Sequence, residues 1–137
     1  ESARPRALHG EIFAVRCTAC SYRARHRDAI DSRDRDVLPR CPECGELARP
    51  DVVWFGEALN PVLLDAAMLD ARQAECALVV GTSALVHPAA SLPRITVEAG
   101  GTLVEVNPDP TPLSPHATVW LAGAAGRMVP ELLGSRP

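Results

Sequence analysis

Cys17-x2-Cys20, followed after twenty residues by Cys41-x2-Cys44, is the spacing with the most defined chemistry in the chain. Two short knuckles can each present two thiolates to one cation about 2.3 Å away, and a longer insert lets the second pair close a tetrahedron. Turn residues stand where a knuckle needs them, with Pro42 inside the second pair and Gly45 just behind it. The competing reading is a pair of disulfides. An odd count of five cysteines counts against it, as does the lack of a secretory-type apolar run in Glu1-Ser-Ala-Arg-Pro-Arg-Ala7. Four protein ligands leave no open coordination position, so the expected ion is one structural zinc.

The insert between the knuckles, Ser21 to Arg40, carries Arg23, Arg25, Arg27, Arg33, Arg35 and Arg40 interleaved with Asp28, Asp31, Asp34 and Asp36. Guanidinium groups are electrostatically welcome near a four-thiolate centre. The alternating signs cancel any sustained basic field, so a solvated face is expected over a recognition loop. His26 lies in this insert and is expected at the surface, not on the metal. Cys76, which precedes Ala-Leu-Val-Val80, is expected as a small buried hydrophobe on a strand.

A second set of polar groups falls at predicted strand ends. Gly81-Thr82-Ser83 follows the apolar run Ala77–Val80, and Asn107-Pro108-Asp109 follows Leu103-Val-Glu-Val. Ligands of parallel α/β sheets gather at the carboxyl ends of strands, where a glycine lets a ligand approach the backbone and hydroxyl or amide groups suit a ribose. Such residues also serve as plain turns, and the chain has no Gly-x-Gly-x-x-Gly dinucleotide fingerprint.

The elements that would position these groups alternate. Asp51–Phe55 is a β-prone run closed by Gly56. Asn60-Pro61 is a cap and first-turn pair opening a helix to about Ala74. Strand 77–80 comes next, then a helix from about Ala89 to Ala99 with Pro93 in its first turn and a stop at Gly100-Gly101. Strand 103–107, strand 118–121 and a helix over 126–133 complete the order. The reading is α/β, a partial Rossmann-like parallel sheet with an inserted small zinc-binding module held by four cysteines.

Composition removes other classes. The 137 residues hold fourteen cationic residues, all Arg, against seventeen acidic ones, a formal net charge of −3. That balance gives no electrostatic reason to expect nucleic acid or an anionic membrane as partner. No run of about 18 apolar residues is present, so no spanning helix is expected and a cytoplasmic setting is. With 47% hydrophobic and 23% charged residues, the composition is that of a globular domain.

Taken in order, His9-Gly10, the two Cys pairs, Arg49-Pro-Asp-Val-Val-Trp-Phe-Gly-Glu57, Gly81-Thr-Ser83, Val86-His-Pro-Ala89 and Asn107-Pro108 strongly resemble the sirtuins, NAD-dependent protein-lysine deacylases. The resemblance spans Leu8 to Leu133. It implies that His9 is the catalytic histidine and that Cys17, Cys20, Cys41 and Cys44 hold a structural zinc. It implies that Gly81, Thr82 and Ser83 contact the ribose and phosphates of NAD as co-substrate. Asn107, Pro108 and Asp109 would meet the adenosine half, and the backbone of Ala125 would lie along the adenine. Val53 and Phe55 would wall the acyl-lysine tunnel, while Gly56-Glu57 and Val86 would hold the substrate peptide as an added strand, a mode that tolerates many side chains.

In that family an acyl oxygen displaces nicotinamide from the ribose, and a base then activates a ribose hydroxyl against the resulting imidate. Imidazole suits the task because it titrates near working pH. Read without the motif, His9 would pass for a surface residue near a chain end. The products implied are nicotinamide and O-acyl-ADP-ribose, and the partners are acyl-lysine proteins or peptides, with no nucleic acid and no membrane.

The family's Gly-Ala-Gly-Ile-Ser-type loop and Gln-Asn-x-Asp segment do not occur among these residues and would precede His9. The chain therefore resembles the C-terminal part of a sirtuin catalytic domain, with a zinc module over 16–49 and an NAD-binding part over 50–137. On this reading the 137 residues alone lack activity. The alternative is a catalytically inactive, zinc-stabilised binding module.

Overall fold

A computed structural model describes residues 5–27 and 33–134. Asp28 and Asp31 of the insert fall outside the described residues. The chain divides into two compact units, Glu1–Asn60 and Pro61–Pro137.

The first unit is built on a three-stranded antiparallel sheet of β1 (Gly10–Cys17), β2 (Arg23–Arg25) and β3 (Ala48–Val52), in the order β2-β1-β3. The β1–β3 register shifts between Glu11 and Val15, where the pairing of the long first strand is interrupted. Buried residues are scarce. Val15, Cys17 and Cys41 are the ones among the described residues of this unit, and two of them are sulfur-bearing.

The second unit alternates as α1 (Pro61–Gln73), β4 (Cys76–Val80), α2 (Leu92–Glu98), β5 (Thr102–Asn107), β6 (Val119–Ala122) and α3 (Ala125–Leu132). The three strands are parallel in the order β4-β5-β6. Pro61 opens α1 at a position where its missing N–H costs nothing. Pro93 sits in the first turn of α2, which a short 3-10 turn at 89–91 leads in. The core centres on β5, whose Leu103 and Val106 are 0% exposed. Val79, Ala84 and Leu113 pack with Leu103, flanked by Ala77, Val97 and Ala117.

Two small contacts bring the helices together. Buried Thr96 on α2 donates from Oγ1 to the carbonyl of Ala71 on α1 at 2.8 Å. A Cβ at Gly101 would meet the Ala74 carbonyl at 2.8 Å and Thr96 Cγ2 at 2.7 Å, so only glycine fits the turn into β5. Among the described residues no helix is long and apolar enough to cross a membrane.

The α/β class, with a parallel sheet and a separate four-cysteine module, is the one expected from the sequence. Two local expectations fail. The run Asp51–Phe55 is not a strand of the parallel sheet: pairing begins earlier at Ala48, ends at Val52, and is antiparallel with β1. Trp54 and Phe55 instead form a turn closed by the Glu57 N–H on the Trp54 carbonyl at 2.9 Å. Cys76 is on a strand as expected but exposed, because it is the first residue of an edge strand in this sheet.

Candidate functional site

The four cysteines are brought together by two knuckles hydrogen-bonded to each other. Thr18 donates both its N–H, at 3.0 Å, and its Oγ1, at 2.9 Å, to the carbonyl of Leu47. In the second knuckle Gly45, at φ +79°, donates its N–H to the Cys41 carbonyl at 2.9 Å, a left-handed turn that a side chain would strain. All four Sγ atoms lie within 4.8 Å of one another. Individual separations are 3.4 Å for Cys17–Cys44, 3.6 Å for Cys20–Cys41 and 3.7 Å for Cys20–Cys44. A disulfide needs about 2.05 Å. Four sulfurs at about 2.3 Å from a common tetrahedral zinc stand roughly 3.8 Å apart, so the donor set fits that ion.

The electrostatics agree. The Ala19 N–H, with that of Cys20, aims at Cys17 Sγ from 3.3 and 3.4 Å and brings the Cys17 thiol down to about 6. Cys20 moves the other way, up to about 12: its backbone contact at Tyr22 lowers it, but burial and the three adjacent sulfurs prevail. Cys44 is raised as well, its contact with the Glu46 backbone being outweighed by Cys17 and desolvation. Thiols this crowded cannot all ionise without a cation among them. His26, half-buried and outside the four-cysteine group, is not a ligand.

In the same unit, His9 forms the turn entering β1. Its carbonyl accepts the Val53 N–H at 2.9 Å, which places the predicted base next to a predicted wall of the acyl tunnel. Gly10 makes this approach possible: its φ is +84°, and a Cβ there would collide with the carbonyl of Asp51. The turn after Val53 projects Phe55, which is 95% exposed, and Gly56 at φ +87° completes it. Glu57 folds back into this turn. Its carboxylate accepts the Trp54 N–H at 3.1 Å, Arg49 Nη2 at 2.5 Å and Arg16 Nη2 at 3.3 Å.

These donors, the Trp54 N–H foremost and then Arg49, hold the Glu57 carboxyl below its ordinary value of 4.5. A carboxylate lowered in the folded state stabilises above its unfolded value, and that contribution is lost as pH falls through the lowered folded value. The Trp54 ring lies under the Arg49 guanidinium at 4.1 Å and reports on the turn. With Trp120 replaced by Phe, and over the pH range in which the zinc content stays constant, the Trp54 emission is expected to stay constant down to pH 4.5 and to shift only below it. A transition centred above that value would contradict the pairing.

The second unit collects the other predicted residues at the carboxyl ends of its strands. Gly81, at φ +61°, donates its N–H to the Val106 carbonyl at 3.0 Å, and nothing lies within 4 Å of where a Cβ would stand. Thr82 and Ser83 are exposed. Asn107 braces this loop by donating Nδ2 to the Thr82 carbonyl at 2.6 Å. Ala84, buried at φ +53°, returns its N–H to Thr82 Oγ1 at 3.2 Å. Pro108 and Asp109 open an exposed loop beyond β5, and Ala125 begins α3. Val86 is exposed and precedes the cis peptide His87–Pro88. His87 Nδ1 lies 2.9 Å from Ser91 Oγ, and His116 is exposed.

Three supporting groups escaped the sequence reading. Glu105 is 0% exposed in the middle of β5, where its carboxylate accepts Thr111 Oγ1 at 2.5 Å and Ser114 Oγ at 2.6 Å, fastening the proline-rich loop that starts at Pro108. A lone acid inside an apolar strand, followed by Thr and Ser, was the available signal. Trp120 Nε1 donates to the Asn107 carbonyl at 3.1 Å. The Arg16 and Arg49 partners of Glu57 had no local signal, being 41 and 8 residues away from it.

An α/β unit with a parallel sheet, joined in sequence to a four-thiolate module, defines the class. Residues 3–88 match the Sir2 family profile, and the chain belongs to the Sir2 family. It is 50% identical over 128 residues to an NAD-dependent protein deacylase of Pyrococcus furiosus, covering 92% of this chain and 51% of that protein. A solved Sir2 homologue–NAD complex superposes with a TM-score of 0.87 at 47% identity, over 93% of this chain and 48% of the other. Sir2Tm bound to a propionylated peptide superposes with a TM-score of 0.81 at 36% identity, over 94% and 56%. The chain thus spans about half the length of the relatives it matches.

Proposed function

We propose that this chain is part of an NAD-dependent protein-lysine deacylase that releases nicotinamide and O-acyl-ADP-ribose. The observation that carries the reading is the direct main-chain bond between His9 and Val53, a histidine next to the residue read as a tunnel wall, in a chain of the Sir2 family. The 50% identity to a named deacylase supports it.

In this account the Cys17, Cys20, Cys41 and Cys44 thiolates hold one zinc that is purely structural, within a module taken as residues 16–49. Residues 50–137 carry the NAD-side groups. NAD supplies an electrophilic ribose carbon once nicotinamide departs. His9 removes a proton from a ribose hydroxyl. Gly81 gives the co-substrate close access to the backbone, and Thr82, Ser83 and Asn107 offer hydrogen bonds to its ribose and phosphates. Pro108, Asp109 and the Ala125 backbone face the adenosine end. Val53 and Phe55 exclude water from the acyl-lysine, and the peptide adds as a strand along Gly56 and Glu57, with Val86 a further peptide-binding residue. The substrates are acyl-lysine proteins or peptides, with acetyl or a related acyl group. A reducing, cytoplasmic setting fits five free thiols.

The test is deacylation of an acetyl-lysine peptide by the whole protein with and without NAD. Acyl loss is expected only with NAD. Equal loss in its absence would sink the proposal.

A further inference from the structure

Arg23, Arg16 and Arg49 form a row across the three strands of the antiparallel sheet: Arg16 is the cross-strand partner of Arg23 on one side and of Arg49 on the other. Directly opposed like charges destabilise a sheet, so three in a row need carboxylates between them. Two are present. Asp51 lies 4.0 Å from Arg16 Nε and 3.6 Å from Arg23 Nε. Glu57 bridges Arg16 Nη2, at 3.3 Å, and Arg49 Nη2, at 2.5 Å.

The two acids differ in origin. Asp51 belongs to the sheet, whereas Glu57 lies beyond β3 and reaches back over the turn that carries Phe55. That turn is gripped at several points. The Trp54 N–H donates to Glu57, the Trp54 ring stacks on the Arg49 guanidinium, and Arg49 Nη1 donates to the Val52 carbonyl at 3.2 Å. Arg49 is the well-buried member, with 12% of its side chain exposed. Arg16 is followed directly by the ligand Cys17, so the row is anchored beside the metal knuckle.

We infer that Glu57, Arg49 and Arg16 are positioning residues for the acyl-lysine: the Glu57 side chain is committed to the arginine row and fixes the 54–57 turn, and thereby the placement of Phe55 and of the peptide-holding backbone at Gly56. This rests on the deacylase reading of Val53, Phe55 and Gly56. The clamp acts on one substrate only. It sets recognition of the acyl-lysine peptide and leaves NAD recognition unaffected, which a general structural role would not do.

The test is steady-state kinetics of the whole protein, varying acetyl-lysine peptide and NAD separately. Glu57→Gln keeps the shape but removes the charge that two guanidinium groups share. Losing one charge-assisted hydrogen bond corresponds to roughly a tenfold or greater change in an affinity. The peptide KM is therefore expected to rise about tenfold, with the NAD KM within about twofold of wild type and the zinc content unchanged.

Arg16→Gln, at the more exposed end of the clamp, is expected to give a smaller rise alone. Combined with Glu57→Gln it should add less than it costs alone, because the Arg16–Glu57 pairing is already lost. Arg16→Gln also serves if Glu57→Gln fails to fold. An unchanged peptide KM in an active variant, or equal rises in both KM values, would overturn the clamp while leaving the deacylase reading standing. A wild type that neither binds the peptide nor consumes NAD would overturn the deacylase reading, and the clamp's role in substrate recognition with it.

Discussion

Removing zinc with a strong chelator is expected to unfold the unit built on β1, β2 and β3 while the parallel sheet of the second unit persists. The first unit has little else to hold it. Its buried residues among those described are Val15 and two of the four cysteines, so the metal takes the place of a core. Units below about 70–80 residues are commonly stabilised by a metal or disulfides for that reason. Structural zinc supplies roughly 10–16 kcal/mol of apparent binding free energy in small systems near neutral pH, far above the few kcal/mol available from three buried side chains. Cys17→Ser or Cys41→Ser should act like the chelator, since each removes a ligand that is itself buried.

The pH dependence has a definite sign. Zinc requires four thiolates, yet Cys20 stands at about 12 and Cys44 above its ordinary value, so binding near neutrality must expel their protons. Affinity should rise with pH and fall towards acid, with proton release visible as a buffer-dependent binding enthalpy. Limited proteolysis is the direct check. Cleavage spreading through residues 16–49 on chelation is expected, and an unchanged pattern would contradict a zinc-dependent unit.

Replacing His9 by Ala in the whole protein should reduce deacylation by about 10²–10⁴-fold, the usual contribution of a positioned general base. The loss should fall on turnover and not on stability. His9 is exposed, and the bond by which it braces Val53 uses its main-chain carbonyl, which alanine retains. Thermal midpoint and zinc content should therefore match wild type. Equal rates for the two proteins would remove His9 from the role of base.

Much of this architecture could be read in the sequence where chemistry and local pattern coincide. The two Cys-x2-Cys pairs announced their cluster because knuckle spacing is a local property. The run Ala77–Val80 read as a parallel strand because its apolar stretch is unbroken and ends at Gly81, and Leu103–Asn107 read as a strand from its apolar residues despite the acid in its middle. Asp51–Phe55 misled for the opposite reason. Its β-branched and aromatic residues favour a strand, but Trp54 stacks on Arg49, and the Glu57 side chain takes the Trp54 N–H that a strand would have used. The strand β1, with Ile12 and Phe13 exposed, offered no clean alternation to detect. The arginine row could not be seen at all, since it depends on cross-strand register, and Glu105 showed only as an oddity in an apolar run.

The most direct measurement is product stoichiometry for the whole protein acting on an acetyl-lysine peptide with NAD. One nicotinamide and one O-acetyl-ADP-ribose for each lysine uncovered is the expected result. Lysine uncovered with free acetate and no nicotinamide would contradict the account.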